Sequence, residues 1–279
     1  FAENHLAFSS ANSINWGRLL PQIVYYISAY CALVNAGKIA MGDKINVVVP
    51  TGNFGNILAS YYASIMGLPI NKFICASNSN NVLSDFIKTG VYDKNRHFYT
   101  TISPSMDILV SRLLYKLSGN NADTTKELMT ALKTVGKYEV SDEIKAEITS
   151  KFFGGFCNDE QTKATIKALF DTDNYLCDTH TAVAVNVYEQ YVEQTGDTTP
   201  SVIASTASPY KFSKAVLEAV SDGTDLPENE FDMVEKLFEV SNAPVPAPLA
   251  ALKDKKARFS DVTEVNSMPQ YVLDALNIK

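Results

Sequence analysis

The chain has 279 residues, 46% hydrophobic and 20% charged, with a formal net charge of −7. That much apolar material supplies a full core for one large domain or two modest ones, and it excludes an intrinsically disordered chain. The acidic balance, without any strongly basic run, excludes a nucleic-acid or anionic-membrane surface, because such partners need clustered Lys and Arg.

From Trp16 to Ala36 the apolar residues Leu19, Leu20, Ile23, Tyr26, Ile27, Tyr30, Cys31 and Val34 recur at intervals of one, three and four. This spacing predicts a helix with a broad buried face, closed by Gly37. KINVVVP at 44–50 is apolar, rich in β-branched residues and too short for a helix, so it reads as the kind of buried strand that parallel sheets use. The loop TGNFGN follows at 51–56, then helical spacing from Ile57 to Met66 that stops at Gly67 and Pro69, then the strand NKFICAS at 71–77. Strand, glycine loop, helix and strand make a βαβ unit with a right-handed crossover. From about Asp107 to Phe170 nearly every segment reads as helix: SMDILVSRLLYKL, NADTTKELMTALKTV, SDEIKAEITSKF and NDEQTKATIKALF each open on Ser or Asn at an N-cap. The α/β pattern resumes with a helix from about Thr181 to Gln194, a strand at PSVIAST and a helix opening at Pro209. Beyond Ala243 a Pro- and Ala-rich stretch predicts an irregular surface arm, followed by a short helix near MPQYVLDALNI. The expected fold is α/β, an open, mostly parallel sheet flanked by helices. Its α/β domain comes in two parts, 1–105 and 171–243, with a helical insertion at 106–170 and an arm and helix at 244–279.

The four cysteines, Cys31, Cys75, Cys157 and Cys177, lie far apart with no CxxC or Cys/His ligand spacing. Neither a disulfide framework nor a metal site is expected, and reduced thiols in a cytoplasmic protein fit best. No apolar run of about 18 residues marks a membrane span, and no signal-peptide pattern opens the chain.

The loop at 51–56 carries the chemistry. A glycine loop between a strand and a helix aims backbone N–H groups and the positive end of the helix dipole at one point, which favours an anion, most often a phosphate. Gly52 and Gly55 allow close approach, and Asn53 and Asn56 can add donors without charge. The absence of GK[ST] excludes a Walker A loop, and GNFG lacks the three glycines and the later acidic residue of a dinucleotide fingerprint. Taken alone, the motif leaves open an ordinary tight turn whose glycines serve packing.

NSINWGR at 12–18, VPTGNFGN at 49–56, DTHTAVA at 178–184 and STASPYKF at 205–212 occur together in this order. In order and approximate spacing they resemble the motifs of threonine synthases, pyridoxal-phosphate enzymes of the tryptophan-synthase-β-like fold, in the branch found in many bacteria and in yeasts. The resemblance runs from about Asn12 to Phe212. It implies PLP fold type II and the conversion of O-phospho-L-homoserine and water into L-threonine and phosphate, and hence two anion sites. By resemblance, Gly52, Asn53, Phe54, Gly55 and Asn56 would cradle the pyridoxal 5'-phosphate phosphate, with Asn53 and Asn56 close enough to the boundary to serve either site. Ser13 and Arg18, with Asn15 in support, would hold the substrate phosphate, since arginine offers two parallel hydrogen bonds to it. Thr206 would set its hydroxyl opposite the pyridine nitrogen, where a hydroxyl leaves that nitrogen largely unprotonated and weakens the electron sink. Without the family, Ser13 reads as an N-cap, Arg18 as a solvated charge and Thr206 as the close of a strand. Two departures stand out: Ser208 replaces the histidine of the usual TAHP, and Thr179 replaces the proline of Asp-Pro-His. His180 matches, either packing near the cleft or acting directly; a histidine beside no acid or thiol defines no proton relay.

The resemblance also implies a lysine in a Phe-Lys-Asp context, which would form the Schiff base with the cofactor, and a Ser/Thr-Gly loop for the substrate carboxylate. Neither occurs here, and Lys211 reads as part of a helix N-terminal region. No catalytic residue is therefore expected within this chain. Its first residue, Phe1, is not a methionine. The expectation is the C-terminal portion of a longer enzyme, monomer or homodimer, without turnover by itself. Two other readings compete: another lyase of the same fold, such as a threonine dehydratase or a β-replacement enzyme, and a non-catalytic phosphate-ligand-binding homologue. NSIN with its arginine argues against the dehydratase, because a substrate without a phosphate needs no second anion site.

Overall fold

In the computed structural model, which describes residues 2–7, 9, 15–96, 109–221, 223–224 and 226–278, the central layer is a four-stranded sheet. The first elements are α1 (Trp16–Asn35), β1 (Ile45–Pro50), α2 (Gly55–Ile65), β2 (Ile70–Ser77), α3 (Val82–Thr89) and β3 (Val91–Asp93). There follow α4 (Val110–Leu117), α5 (Ala122–Thr134), β4 (Lys137–Glu139), α6 (Asp142–Lys151), β5 (Phe152–Phe156), α7 (Asp159–Asp173) and α8 (Thr179–Thr195). The last are β6 (Ser201–Ile203), a 3₁₀ turn at Pro209–Phe212, α9 (Ser213–Val220), α10 (Glu230–Ser241), α11 (Ala247–Ala250) and α12 (Met268–Ala275). The strand order is β5-β2-β1-β6 and every pairing in this sheet is parallel, while β3 and β4 form a separate antiparallel pair. This is the expected α/β architecture.

β1 is apolar on both faces because both are covered. Val47 and Val49, like Phe73 and Cys75 of β2, join the core made with α1 and α2. Val48, Ile74 and Ala76 turn the other way and pack with Val183, Ala184 and Val187 of α8. At the strand entry the fully buried Asn46 needs partners, and finds them in the Asp197 carboxylate at 3.0 Å and the Asn71 amide at 3.0 Å. Asp197 also accepts from Tyr191 Oη at 2.5 Å and from the Thr199 amide at 2.9 Å, so one carboxylate ties β1 and β2 to the segment that leads into β6.

Two expectations need correction. Residues 106–170 are not helical throughout: they contain β4 and β5, and β5 pairs with β2 from Phe73↔Phe152 to Ser77↔Phe156. FFGGF follows α6 directly, and its glycines carry no hydrophobic pattern, so nothing in its periodicity marks a strand. Space explains the glycines. A Cβ on Gly154 would stand 3.0 Å from Ser84 Cα and O of α3, and one on Gly155 would stand 2.6 Å from Val187 Cγ1 of α8. Only a strand stripped of side chains lets helices press this closely on its two faces. The second correction concerns α1, which buries Leu19, Ile23, Tyr26 and Tyr30 but exposes Trp16, Leu20, Val24, Tyr25 and Ile27. Its apolar residues run around the helix, and α2 covers one stripe of them.

The helix expected from Ser105 begins outside the described residues, and its described part is α4. PSVIAST contributes only Ser201–Ile203 to the sheet, so Thr206 lies past the strand end. The helix expected to open at Pro209 begins as the 3₁₀ turn.

Gly154→Ala must push α3 away from β5, and overpacking of this kind costs about 1–3 kcal/mol. Urea denaturation should show that loss as a lower midpoint with an unchanged slope.

Candidate functional site

In a parallel sheet all strands deliver their C-terminal ends to one edge, and the loops there form the natural crevice. At the ends of β1 and β6 lies a cleft of about 550 Å³. Two helix N-termini reach it, α2 through Gly55 and Asn56 and α8 through His180, and α1 runs along it with Gly17, Arg18, Pro21, Gln22 and Tyr25. The loop from Thr51 to Phe54 and the side chain position of Thr206 complete the wall. No Asp or Glu is among the described lining residues, although the whole chain carries a net charge of −7. Positive dipole ends, an arginine and no carboxylate make a local field that favours an anion.

The loop is built by constraint at both ends. Thr51 donates its amide to Ala76 O at 2.7 Å and sets its Oγ1 3.0 Å from Cys75 Sγ, while the Leu109 amide donates to Asn53 O at 3.1 Å. Phe54 then takes φ 65° and ψ 2°, a left-handed conformation rare outside glycine. That backbone costs about 1–2 kcal/mol; burying the phenyl ring returns about 1.5–3 kcal/mol. Burial wins, and the ring is packed 6.4 Å from that of Phe152. As the N-cap of α2, Phe54 offers no side-chain acceptor to the first turn, whereas Asn15, Asn121, Asn158 and Asp178 cap α1, α5, α7 and α8. The amides opening α2 are left for something outside the protein to satisfy. Among the described residues, a methyl group on Gly52 would meet no atom within 4 Å. Donors without acceptors beside open space fit a phosphate-sized anion.

Arg18 lines the cleft from the first turn of α1, which is formed by the Asn15 side chain accepting from the Gly17 amide at 2.8 Å. Asn15 itself is not among the lining residues; it serves this helix start. Ser13 lies outside the described residues. The structure thus brings Arg18, Gly52, Asn53, Phe54, Gly55, Asn56, His180 and Thr206 to one cleft.

His180 is not alone, as its sequence neighbourhood suggests: its Nδ1 sits 3.3 Å from Asp178 Oδ1. Asp178 is fully buried and accepts from the His180 amide at 2.8 Å, the Thr181 amide at 3.3 Å and the Thr181 hydroxyl. Burial pushes its carboxyl up, but the side chains of His180 and Thr181 and the His180 amide outweigh that, and the net displacement is downward. Thr181 Oγ1 lies 3.1 Å from Ser205 Oγ, next to Thr206, so one buried carboxylate aligns both His180 and the Thr206 segment. An Asp directly before a helical pattern is an N-cap signal, and that signal could have identified Asp178. Ser208 accepts from the Tyr210 amide at 3.3 Å and so caps the 3₁₀ turn. Lys211 sits in that turn, outside the cleft lining, with Nζ 5.9 Å from the Phe212 ring centre. The Phe212 ring in turn stands 5.0 Å from that of His180.

A family model described as "Threonine synthase, C-terminal" matches residues 181–272. The human protein threonine synthase-like 1 is 44% identical over 217 residues, covering 76% of this chain and 29% of that protein. The threonine synthase of Saccharomyces cerevisiae is 37% identical over 250 residues, covering 83% of this chain and 48% of that protein. Among solved structures, PLP-bound threonine synthase from Brucella melitensis superposes with a TM-score of 0.77 at 35% identity, covering 95% of this chain and 52% of that one. Threonine synthase from yeast superposes with a TM-score of 0.78 at 30% identity, covering 95% and 53%. The chain therefore spans about half the length of the threonine synthases it matches, and under a third of threonine synthase-like 1.

Asp178→Asn should destabilise the fold by about 1–2 kcal/mol at neutral pH, through a weaker cap and weaker charge-assisted bonds. The folded-state pKa lies below the ordinary 3.8, so the carboxylate's contribution is complete above that value and is lost as pH falls through the depressed one. Urea midpoints of both proteins across a pH series should therefore converge only in strong acid.

Proposed function

We propose that this chain, which corresponds to the C-terminal portion of threonine synthases, forms one side of the active site of a pyridoxal-phosphate-dependent lyase that converts O-phospho-L-homoserine and water into L-threonine and phosphate. The observation that carries this reading is the cleft in which Arg18, the N-terminus of α8 and the uncapped amides of α2 face one volume, with no Asp or Glu among its described lining residues. Such a cleft suits two phosphates at close quarters, one on a cofactor and one on a substrate.

Bound there, pyridoxal 5'-phosphate would supply an electron sink for chemistry at the carbons of the amino-acid substrate. Gly52, Asn53, Phe54, Gly55 and Asn56 would hold its phosphate through the amides of the loop and the start of α2. Thr206 would present an uncharged hydroxyl to the ring nitrogen, with its segment held by Thr181 and Asp178. Arg18 would bind the substrate phosphate with two parallel N–H groups, joined by Ser13, while Asn15 supports both by forming the helix start. No lysine lines the cleft among the described residues. The amine that carries the cofactor is accordingly assigned to the half of the relatives' length that this chain does not span, and the 279 residues alone are proposed to be without turnover. Among the described residues no helix is long and apolar enough to cross a membrane, and the cysteines stand as thiols. The cytoplasm is the compartment we propose, with a monomer or homodimer as the assembly. The proposed division has the cleft built by residues 1–105 and 171–243, and 244–279 as an arm.

The full-length protein should release threonine and phosphate from O-phospho-L-homoserine, with Arg18→Ala lowering kcat/KM by about two orders of magnitude, the loss expected for two charge-assisted hydrogen bonds. Deamination of L-threonine without any action on the phosphorylated substrate would establish a dehydratase instead. Binding of pyridoxal phosphate without turnover of either would establish a non-catalytic homologue.

A further inference from the structure

Asn56 sits where α2 opens into the cleft, and its carboxamide has two unlike ends. The NH₂ end donates, which an anion wants; the oxygen end presents lone pairs, which an anion repels. Left to itself, such an amide can turn either way. Here it is not left to itself. Tyr26, 30 residues earlier on the buried stripe of α1 and 3% exposed, donates its phenol O–H to Asn56 Oδ1. With the oxygen engaged on the α1 side, the donors are the end that remains for the cleft. The same bond joins the phosphate loop to the helix that carries Arg18, so the two halves of the anion site are fixed relative to one another.

We infer that Tyr26 is a positioning residue of the anion site: it holds the Asn56 carboxamide with its NH₂ toward the cleft and locks the loop to α1. This inference rests on the reading that the loop holds a phosphate. Burial drives the phenol's pKa well above its usual value, so the group is a donor at any working pH. Tyr26 is not among the residues that line the cleft; its effect passes through Asn56.

The test uses the full-length protein titrated calorimetrically with inorganic phosphate and with pyridoxal phosphate. Tyr26→Phe keeps the ring and removes the bond, and should weaken binding about tenfold, the size of one hydrogen bond to a charged group. Asn56→Ala should weaken it by a similar factor. The double variant should be no worse than Asn56→Ala, because a residue acting through Asn56 has nothing left to act on. A general loosening of the fold would instead weaken binding in the Asn56→Ala background too, and that additivity would overturn the inference. So would unchanged binding by Tyr26→Phe while Asn56→Ala is impaired, an outcome that leaves the phosphate site itself standing. If Asn56→Ala also binds both probes as well as the natural protein, the loop holds no phosphate, and both readings fall. Asn56→Asp provides a check that does not touch the core: it keeps an acceptor for Tyr26 but turns a second oxygen to the cleft. It should bind worse than Asn56→Ala, and equal or tighter binding would refute the orientation of the amide.

Discussion

The amides that open α2 face the cleft without a capping side chain, and no Asp or Glu is among the described residues that line it. A helix start left uncapped in this way favours an anion, because its first amides have no partner within the helix. Much of the surrounding architecture follows from maintaining that imbalance. The parallel sheet brings the ends of β1 and β6 to the same edge. The left-handed turn at Phe54 starts α2 without a capping side chain. Asp178, which caps α8 beside the cleft, has its carboxylate taken up by two amides and a hydroxyl.

The two buried or half-buried aspartates show how one residue type serves opposite ends of the sheet. Asp197 gathers Asn46, Asn71, Tyr191 and Thr199 where the strands enter, at the end opposite the cleft. Asp178 gathers His180 and Thr181 where the strands leave, and through Thr181 it reaches Ser205. Both carboxyls are held below their usual range because hydrogen bonds to the charged form exceed the penalty of burial. One fixes the register of the sheet; the other fixes the approach of two segments to the cleft.

Much of this was legible in the sequence where local chemistry and global position agree. VVVP between a helix and a glycine loop marks a central parallel strand, and TGNFGN marks the end of it that opens on the cleft. Asn121, Ser141, Asn158 and Asp178 announce their helices as caps. What stayed hidden depends on contacts far apart in sequence. β5 is a strand because α3 and α8 leave no space for side chains, which no property of FFGGF itself reveals. The exposed side of α1 is as apolar as the buried one, so periodicity could not divide them. Asp178 beside His180 and Tyr26 behind Asn56 are chosen by side-chain direction, and direction is a property of the folded backbone.

Gly52 separates two demands that usually coincide. Most glycines of this chain are needed by the backbone or by a neighbour, as Gly154 and Gly155 are, so replacing them harms folding before anything else. Gly52 has neither a positive φ nor a described protein atom within 4 Å of an added Cβ. Alanine there would even restrict the unfolded chain slightly and favour the native state. Nothing among the described protein atoms requires this position to stay bare, and the proposed anion would lie on its open side. A collection of variants selected only for thermal endurance would be free to fill it, and would crowd the proposed anion site without any sign in the melting curve.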